Sequence, residues 1–351
     1  MNRRPKKLLA FSAIALAGLA ATACSSSSSS SSTPTSTASA AAAGSSSASP
    51  SSSVNLSSVT LNVGDQKGTG AEAILKAAGL LNTLPFHVNW SDFTSGPPML
   101  EAMASGSVDV GGVGDAPPVF AAAGGEGVVI VGARTVPSGD QDAVVVPKGS
   151  PITSIQQLKG KKIAYGSGSS GNYNLLTVLT ATGLTTKNVT MVNLQPADAL
   201  AAFTSGSVDA WDIWPPYVQQ VVAQDGAKVL ARGSQYGSPY SYEVASKSAV
   251  ANPEKAAAIE VYLATLDKAY VWAEKNPDAW GTAWAAATGL PASITDVAAT
   301  VDSTTPVPVN SAVQTSEQNL VAQFYKAGLI PSSPNMSGFI TSQFNSSVTG
   351  G

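Results

Sequence analysis

From about residue 60 onward, short apolar runs alternate with stretches whose apolar residues recur at helical spacing. LNVGD, KKIAYG, SVDVGG and SVDAWD read as buried strands. MLEAMASG and ALAAFTSG read as short helices, closed by Gly106 and Gly206 at the left-handed position that ends many helices. Two further helices end in a Gly-Leu pair, at Gly79 and Gly183. The resulting order is β-α-β-α-β, written twice, the alternation that gives a parallel sheet flanked by helices. VYLATLDKAYVWAEK and the region through Gln323 carry apolar residues at helical spacing, with Trp272, Trp280 and Trp284 as core.

The two halves share wording as well as pattern. Residues 104–109 read ASGSVD and residues 204–209 read TSGSVD. Leu100 aligns with Leu200, Ala102 with Ala202, and Ser105–Asp109 with Ser205–Asp209. Two such lobes in one chain predict a cleft between them, because ligands of open α/β sheets bind beyond the carboxyl ends of the strands.

The loops after the strands supply candidate chemistry. Pro97 or Pro98 falls in a first turn after Ser95, Pro117 comes after Asp115, Pro196 opens QPADALAAF, and Pro215 comes after Trp214. Proline suits a first helical turn, where its missing N–H has no partner to lose. GSGSSGNYN offers Ser167, Ser169, Ser170 and Asn172 at a fifth helix start, and GDQKGTG offers Gln66, Lys67 and Thr69 at a sixth. Free amides and the positive dipole end make helix starts into anion sites, although any one of them also reads as plain capping. Trp211 and Trp214 add an apolar wall for a hydrocarbon tail, with core packing as the competing reading.

Composition narrows the classes. MNRRPKK followed by LLAFSAIALAGLAATA and Cys24 has the form of a secretory signal. Cys24, the only cysteine, stands where a bacterial lipoprotein is acylated, although Ala21 replaces the leucine usual three places earlier; an ordinary cleaved signal is the alternative. Residues 1–24 are therefore expected to be a lipoprotein signal peptide and 25–56 a serine-rich disordered tether. Loss of the first 24 residues takes four basic side chains and no acidic ones, moving the net charge from −3 to −7 and arguing against nucleic acid as a partner. Beyond the signal only Arg134 and Arg232 remain as arginines, which suits a singly charged, multi-oxygen anion held by neutral donors. No phosphate-loop motif, metal-ligand cluster or Ser-His pair is present; the lone His87 sits in LPFHVNW as a strand residue, so no cofactor or metal is expected.

QKG at 66–68, SGPPMLEAMASGSVDVGGVGDAPPVFAAA, KGKKIAYGSGSSGNYNLL, PADALAAFTSGSVDAWDIWPPY and the C-terminal GLP…TPVPV…AQFYKAGLI resemble the aliphatic-sulfonate-binding proteins of ATP-driven bacterial importers, from about Leu61 to Ile330. The resemblance implies a type II periplasmic-binding-protein fold: two βαβ lobes, 57–143 plus 242–345 and 144–241, joined by a two-strand hinge in DAVVVPKGS and SPYSYEVAS. It implies a receptor without catalysis, a monomer held at the outer face of the cell membrane, that passes an organosulfonate to a permease and its ATPase. Carried onto this sequence, its ligand loops fall on Gln66, Ser95–Gly96, Gly114–Asp115, Ser167–Asn172 (Ser169 and Ser170 within) and Trp211–Trp214. Asn172-Tyr173-Asn174 departs from the His-Asn that relatives often carry. Taurine, nitrate or a pyrimidine vitamin precursor on the same fold are alternative ligands, with Asp115, Asp198 or Glu243 as the carboxylate a taurine amine would need. A sulfur-releasing enzyme on a related fold is the alternative of another class.

Overall fold

The computed structural model describes residues 54–66 and 70–348, so the expectations for Cys24, the stretch up to residue 53, Lys67 and Thr69 lie outside the described residues. The first run of elements is β1 (Thr60–Gln66), α1 (Ala71–Ala77), β2 (His87–Phe93), α2 (Gly96–Ala104), β3 (Val110–Val113), α3 (Ala116–Gly124) and β4 (Val128–Thr135). The second is β5 (Ala143–Val146), β6 (Lys162–Tyr165), α4 (Ser170–Ala181), β7 (Thr190–Asn193), α5 (Pro196–Thr204), β8 (Ala210–Ile213), α6 (Tyr217–Asp225) and β9 (Lys228–Arg232). The chain ends with β10 (Tyr240–Ser246), α7 (Lys247–Ala251), α8 (Pro253–Lys275), α9 (Pro277–Thr288), α10 (Ala292–Val301), β11 (Thr305–Val307) and α11 (Ser311–Ala327).

The strands form two sheets, ordered β11-β4-β10-β3-β1-β2 and β7-β6-β8-β5-β9. Strand β1 runs parallel to β2 and β3, as β6 does to β7 and β8. The alternation alone predicts wholly parallel sheets, and neither sheet is wholly parallel. In the first, β10 lies antiparallel between β3 and β4; in the second, β5 lies antiparallel between β8 and β9. Each inserted strand is the one that enters its sheet from the other. Apolar residues pack on both faces of each sheet: Leu61, Val63, Ile259 and Leu266 on one face of the first, Met99, Leu100 and Val244 on the other.

The repeated SGSVD has a structural job in both copies. Gly106 and Gly206 take φ of 83° and 73°, the left-handed conformation that glycine adopts at no steric cost. Asp109 Oδ2 then accepts the Asn62 amide at 2.9 Å, and Asp209 Oδ2 accepts the Lys162 amide at 2.8 Å. Each aspartate fastens its strand to the start of the strand 47 residues earlier. Strands β3 and β8 begin only after these aspartates, three residues later than the SVDVGG and SVDAWD runs suggest. In the first copy Lys255 of α8 also pairs with Asp109 Oδ1 at 2.7 Å.

The chain passes between sheets in the segments 136–142 and 233–239, not within the strands expected to cross. Strand β5 is wholly in the second sheet and β10 wholly in the first. The two passages are bonded to one another: Val136 N donates to Pro239 O at 2.9 Å, Gly233 N to Asp142 O at 2.8 Å, and Ser234 Oγ to Asp140 Oδ1. Away from the passages, α3, α4 and α11 share an apolar cluster in which the Tyr173 and Phe324 rings lie 5.6 Å apart. Tyr173, the departure noted in the sequence, therefore packs where the two sheets' helices meet.

Candidate functional site

Helix starts from both sheets converge on one cleft, whose space, open mouth included, is about 840 Å³. Gly96 of α2, together with Gly114 and Pro117 at the start of α3, comes from the first sheet. Ser169 and Ser170 at the start of α4, then Trp214 and Pro215, come from the second. The approach is close: a Cβ on Gly114 would lie 2.8 Å from the Ser170 Cβ. Side chains are excluded there by the neighbouring lobe itself.

The α4 start explains its serines. Ser169 is the N-cap: its hydroxyl receives the Asn172 amide at 3.3 Å and donates to Gly166 O at 2.7 Å. Ser170 Oγ donates to Asp142 Oδ1 at 3.0 Å. A hydroxyl has one proton to give. Both are therefore committed internally, and the donors at this start are the first-turn amides of Ser170 and Gly171. Asn172 is 1% exposed, and its Oδ1 receives the Gly168 amide at 3.1 Å. Ser167 is exposed, with its amide on Asn193 Oδ1 at 2.9 Å. Neither side chain lines the cleft; both shape the loop that does.

The starts in the first sheet differ among themselves. At α1 the protein supplies its own anion: Asp65 accepts the amides of Ala71 and Glu72, each at 3.0 Å. That start is capped, contrary to the expectation that it offers open donors. Gln66 lines the cleft and donates from Nε2 to Gly112 O at 2.8 Å. Ser95 is 1% exposed and donates to Gln195 Oε1 at 3.0 Å, as Thr94 Oγ1 does at 2.8 Å. These bonds tie the α2 start to the α5 start, and neither Ser95 nor the buried Pro196 lines the cleft. Asp115 is buried beneath α3, and its carboxyl is pushed well above the usual range, first by burial and then by the neighbouring Asp142. Asp142 itself is pushed up to about 7 by burial, against the pull of Ser170.

The tryptophans separate. Trp214 lines the cleft beside Pro215. Trp211 is fully enclosed in the second sheet's core, its ring 5.9 Å from that of Phe203 and 5.8 Å from that of Tyr217. The reading of Trp211 as part of the wall is corrected: β8 is buried on both faces, and the Trp211 ring is taken up by packing against Phe203 and Tyr217. Pro215 is also not a first helical residue. It belongs to a turn closed by Tyr217 N donating to Trp214 O at 3.1 Å, and α6 starts at Tyr217.

One feature of the cleft has no signature in the sequence pattern. Arg134, Ser241, Glu243, Tyr270, Asp302 and Thr304 complete the lining on the first sheet's side. They come from β4, β10, α8 and the approach to β11, elements that only the sheet order brings together. Arg134 Nη1 donates to Glu243 Oε1 at 2.7 Å in a pair that is almost fully buried. Glu243, weighed in the sequence as a carboxylate facing an amine, does reach the cleft; Asp198 is exposed on α5 and does not.

Known proteins match the chain over most of its length. The family described as NMT1/THI5 like matches residues 95–280. The chain belongs to that family. It is 35% identical over 280 residues to an Escherichia coli (strain K12) protein named for aliphatic sulfonate binding, covering 78% of this chain and 86% of the relative. The alkanesulfonate-binding protein of Xanthomonas axonopodis pv. citri, solved bound to MOPS, matches with a TM-score of 0.75 at 30% identity, over 81% of this chain and 99% of that one. The periplasmic aliphatic sulphonate binding protein of Escherichia coli gives 0.71 at 34%, over 80% and 92%. These family members share the periplasmic-binding-protein fold, and the chain has it too. No helix among the described residues is long and apolar enough to cross a membrane.

Proposed function

We propose that this protein is an extracytoplasmic receptor for aliphatic sulfonates that delivers them to the permease and ATPase of an importer. The observation that carries the reading is the convergence of the α2, α3 and α4 starts, from two sheets, on one cleft. First-turn amides and the dipole's positive end favour an oxyanion there, and hydrogen bonds to a charged acceptor contribute ~1.5–3 kcal/mol each. The relatives' names, from two bacteria, specify sulfonates among oxyanions. Trp214 offers the tail an apolar wall. The two bonded passages between sheets are the hinge, so ligand held by both lobes favours the closed form, which the permease then recognises.

The receptor works by binding alone, and the reading extends to its place in the cell. Cys24 is the acylated residue, and the serine-rich stretch up to residue 53 tethers a monomeric domain to the outer face of the cell membrane; Asn55 and Leu56 already belong to the folded domain. Calorimetric titration of the full chain with 1-propanesulfonate and 1-butanesulfonate tests the ligand class: saturable 1:1 binding without sulfite release is expected. Absence of binding to every alkanesulfonate, or release of sulfite, would sink the reading. Replacement of Cys24 by serine is expected to shift the protein from the membrane fraction to the soluble one.

A further inference from the structure

Charge is unevenly placed on this chain. Beyond residue 24, the second lobe (residues 144–241) carries seven basic and four acidic side chains, while the rest carries eight basic and eighteen acidic. One lobe of an acidic protein is therefore of the opposite sign. The register of the second sheet says where that sign resides. Strands β6, β7 and β8 run parallel, with Lys162 opposite Thr190 and Ile163 opposite Ala210. Strand β5 runs against β8, and Val146 at its end lies opposite Lys228 at the start of β9. The starts of β6, β7, β8 and β9 and the end of β5 thus share one edge of the sheet. All six lysines of the lobe sit along it: Lys159, Lys161 and Lys162 lead into β6, Lys187 precedes β7, Lys228 opens β9 and Lys148 follows β5. The cleft lies at the opposite edge, where Ser169 follows β6 and Trp214 follows β8, so these lysines do not serve an anion bound there.

The loops along this edge touch one another. Gly160 N donates to Asn188 O at 2.7 Å, joining the Lys159–Lys162 turn to that of Lys187. A Cβ on Gly226 would lie 3.0 Å from Lys148 Cδ, which puts Lys148 beside the turn leading to Lys228. The protein leaves these ammoniums unneutralised. Five of the six lysines are exposed and Lys161 is half-buried. The three ion pairs among the described residues all lie elsewhere. Two acidic side chains share the edge: Asp209, whose Oδ2 already accepts the Lys162 amide, and Asp225 at the end of α6. Five strands spaced ~4.8 Å apart make this a face roughly 20 Å wide.

We propose that this edge of the second lobe rests on an anionic phospholipid surface, that of the membrane beside which the chain is held. The proposal builds on the extracytoplasmic reading above, and its test dispenses with the acyl group. The 29 serine-rich residues 25–53 give the tether a reach of roughly 30 Å, enough to lay the lobe down. Lysine is depleted from protein–protein interfaces, whereas lipid headgroups ask for charge and not for fitted shape. Each lysine close to an anionic leaflet strengthens attachment roughly fivefold. The full chain bearing Cys24→Ser is sedimented with vesicles of phosphatidylglycerol and phosphatidylcholine in equal parts, and with vesicles of phosphatidylcholine alone. Because the first 24 residues have four basic side chains of their own, the comparison is among variants of that chain. Lys159→Glu, Lys187→Glu and Lys228→Glu together are expected to weaken binding to the phosphatidylglycerol vesicles at least about tenfold. Lys268→Glu, Lys275→Glu and Lys326→Glu together make the same change of net charge on exposed lysines of the first lobe, and are expected to leave binding within about twofold. Melting curves confirm that both triple variants are folded. Equal weakening by the two triples, or binding that does not distinguish the two lipid compositions, would overturn the proposal. So would loss of sulfonate uptake by cells carrying the first triple without loss of vesicle binding, which would assign the edge to the permease. None of these outcomes bears on ligand class, which calorimetry tests separately.

Discussion

The carboxylate of Asp209 holds the amide of Lys162 at 2.8 Å. It does so across 47 residues of chain, as Asp109 does with Asn62. The repeated five residues are thus strand fasteners, and neither aspartate lines the cleft. Replacing Asp209 with alanine leaves a strand-edge amide without its charged acceptor, for an expected loss of ~1.5–3 kcal/mol. Asp109→Ala is expected to cost more, because it also strands Lys255. Denaturant titration of the empty proteins measures both, and sulfonate affinity is expected to stay within about threefold at temperatures where the variants are folded.

Gly114 tests whether the two lobes must meet closely. Its missing Cβ would stand 2.8 Å from the Ser170 Cβ. Overpacking of that kind costs ~1–3 kcal/mol. Because the clash is between lobes, opening relieves it, so the cost falls on closure. Gly114→Ala is expected to weaken ligand binding by about tenfold, ~1.4 kcal/mol, while the melting temperature of the empty protein changes little. An equal loss in both measurements would show the contact to be part of the resting fold only.

The two neighbouring tryptophans are expected to fail differently. Trp211→Ala empties a core position, and large-to-small changes of that size cost ~3–5 kcal/mol. Trp214→Ala removes cleft wall. It is expected to leave stability nearly unchanged and to flatten the rise of affinity with alkyl chain length, which a buried methylene otherwise sets at ~0.8 kcal/mol. A chain-length series by calorimetry on the Trp214 variant decides between wall and bystander.

The buried carboxyls set a pH dependence. Asp65, Asp142, Asp267 and Asp302 ionise near 3.8 when exposed and at about 6 to 7 in the fold, burial being the largest cause in each. A group raised in this way binds its proton more tightly when folded. Its contribution is fully present below the unfolded value and is lost as pH rises through the folded one. The empty protein is therefore expected to melt higher at pH 5 than at pH 8, with the decline spread between about pH 4 and 7. Asp302→Asn is expected to shrink that difference.

Much of this molecule is legible along the chain, and the reasons are local. Helix ends at Gly106 and Gly206, prolines in the first turns of α2 and α3, and the period change from strand to helix all depend on residues within a few positions. So does the duplication: a repeat written at a spacing of one hundred residues needs no tertiary information to be seen. The fold class and the cleft between two lobes follow from it.

Other features were settled only in three dimensions. The antiparallel insertion of β10 and β5 joins strands distant in sequence, and no local preference encodes it. That insertion brings Arg134 beside Glu243, 109 residues apart, and lines the cleft with charge. That both serine protons at the α4 start are taken, and which tryptophan is enclosed in the core, were likewise decided by partners that the fold supplies. The chain by itself determined the alternation of strand and helix in each half and that two alike halves face a common gap. Tertiary structure decided what that gap contains, because desolvation and pairing of charged groups depend on neighbours that only folding assembles.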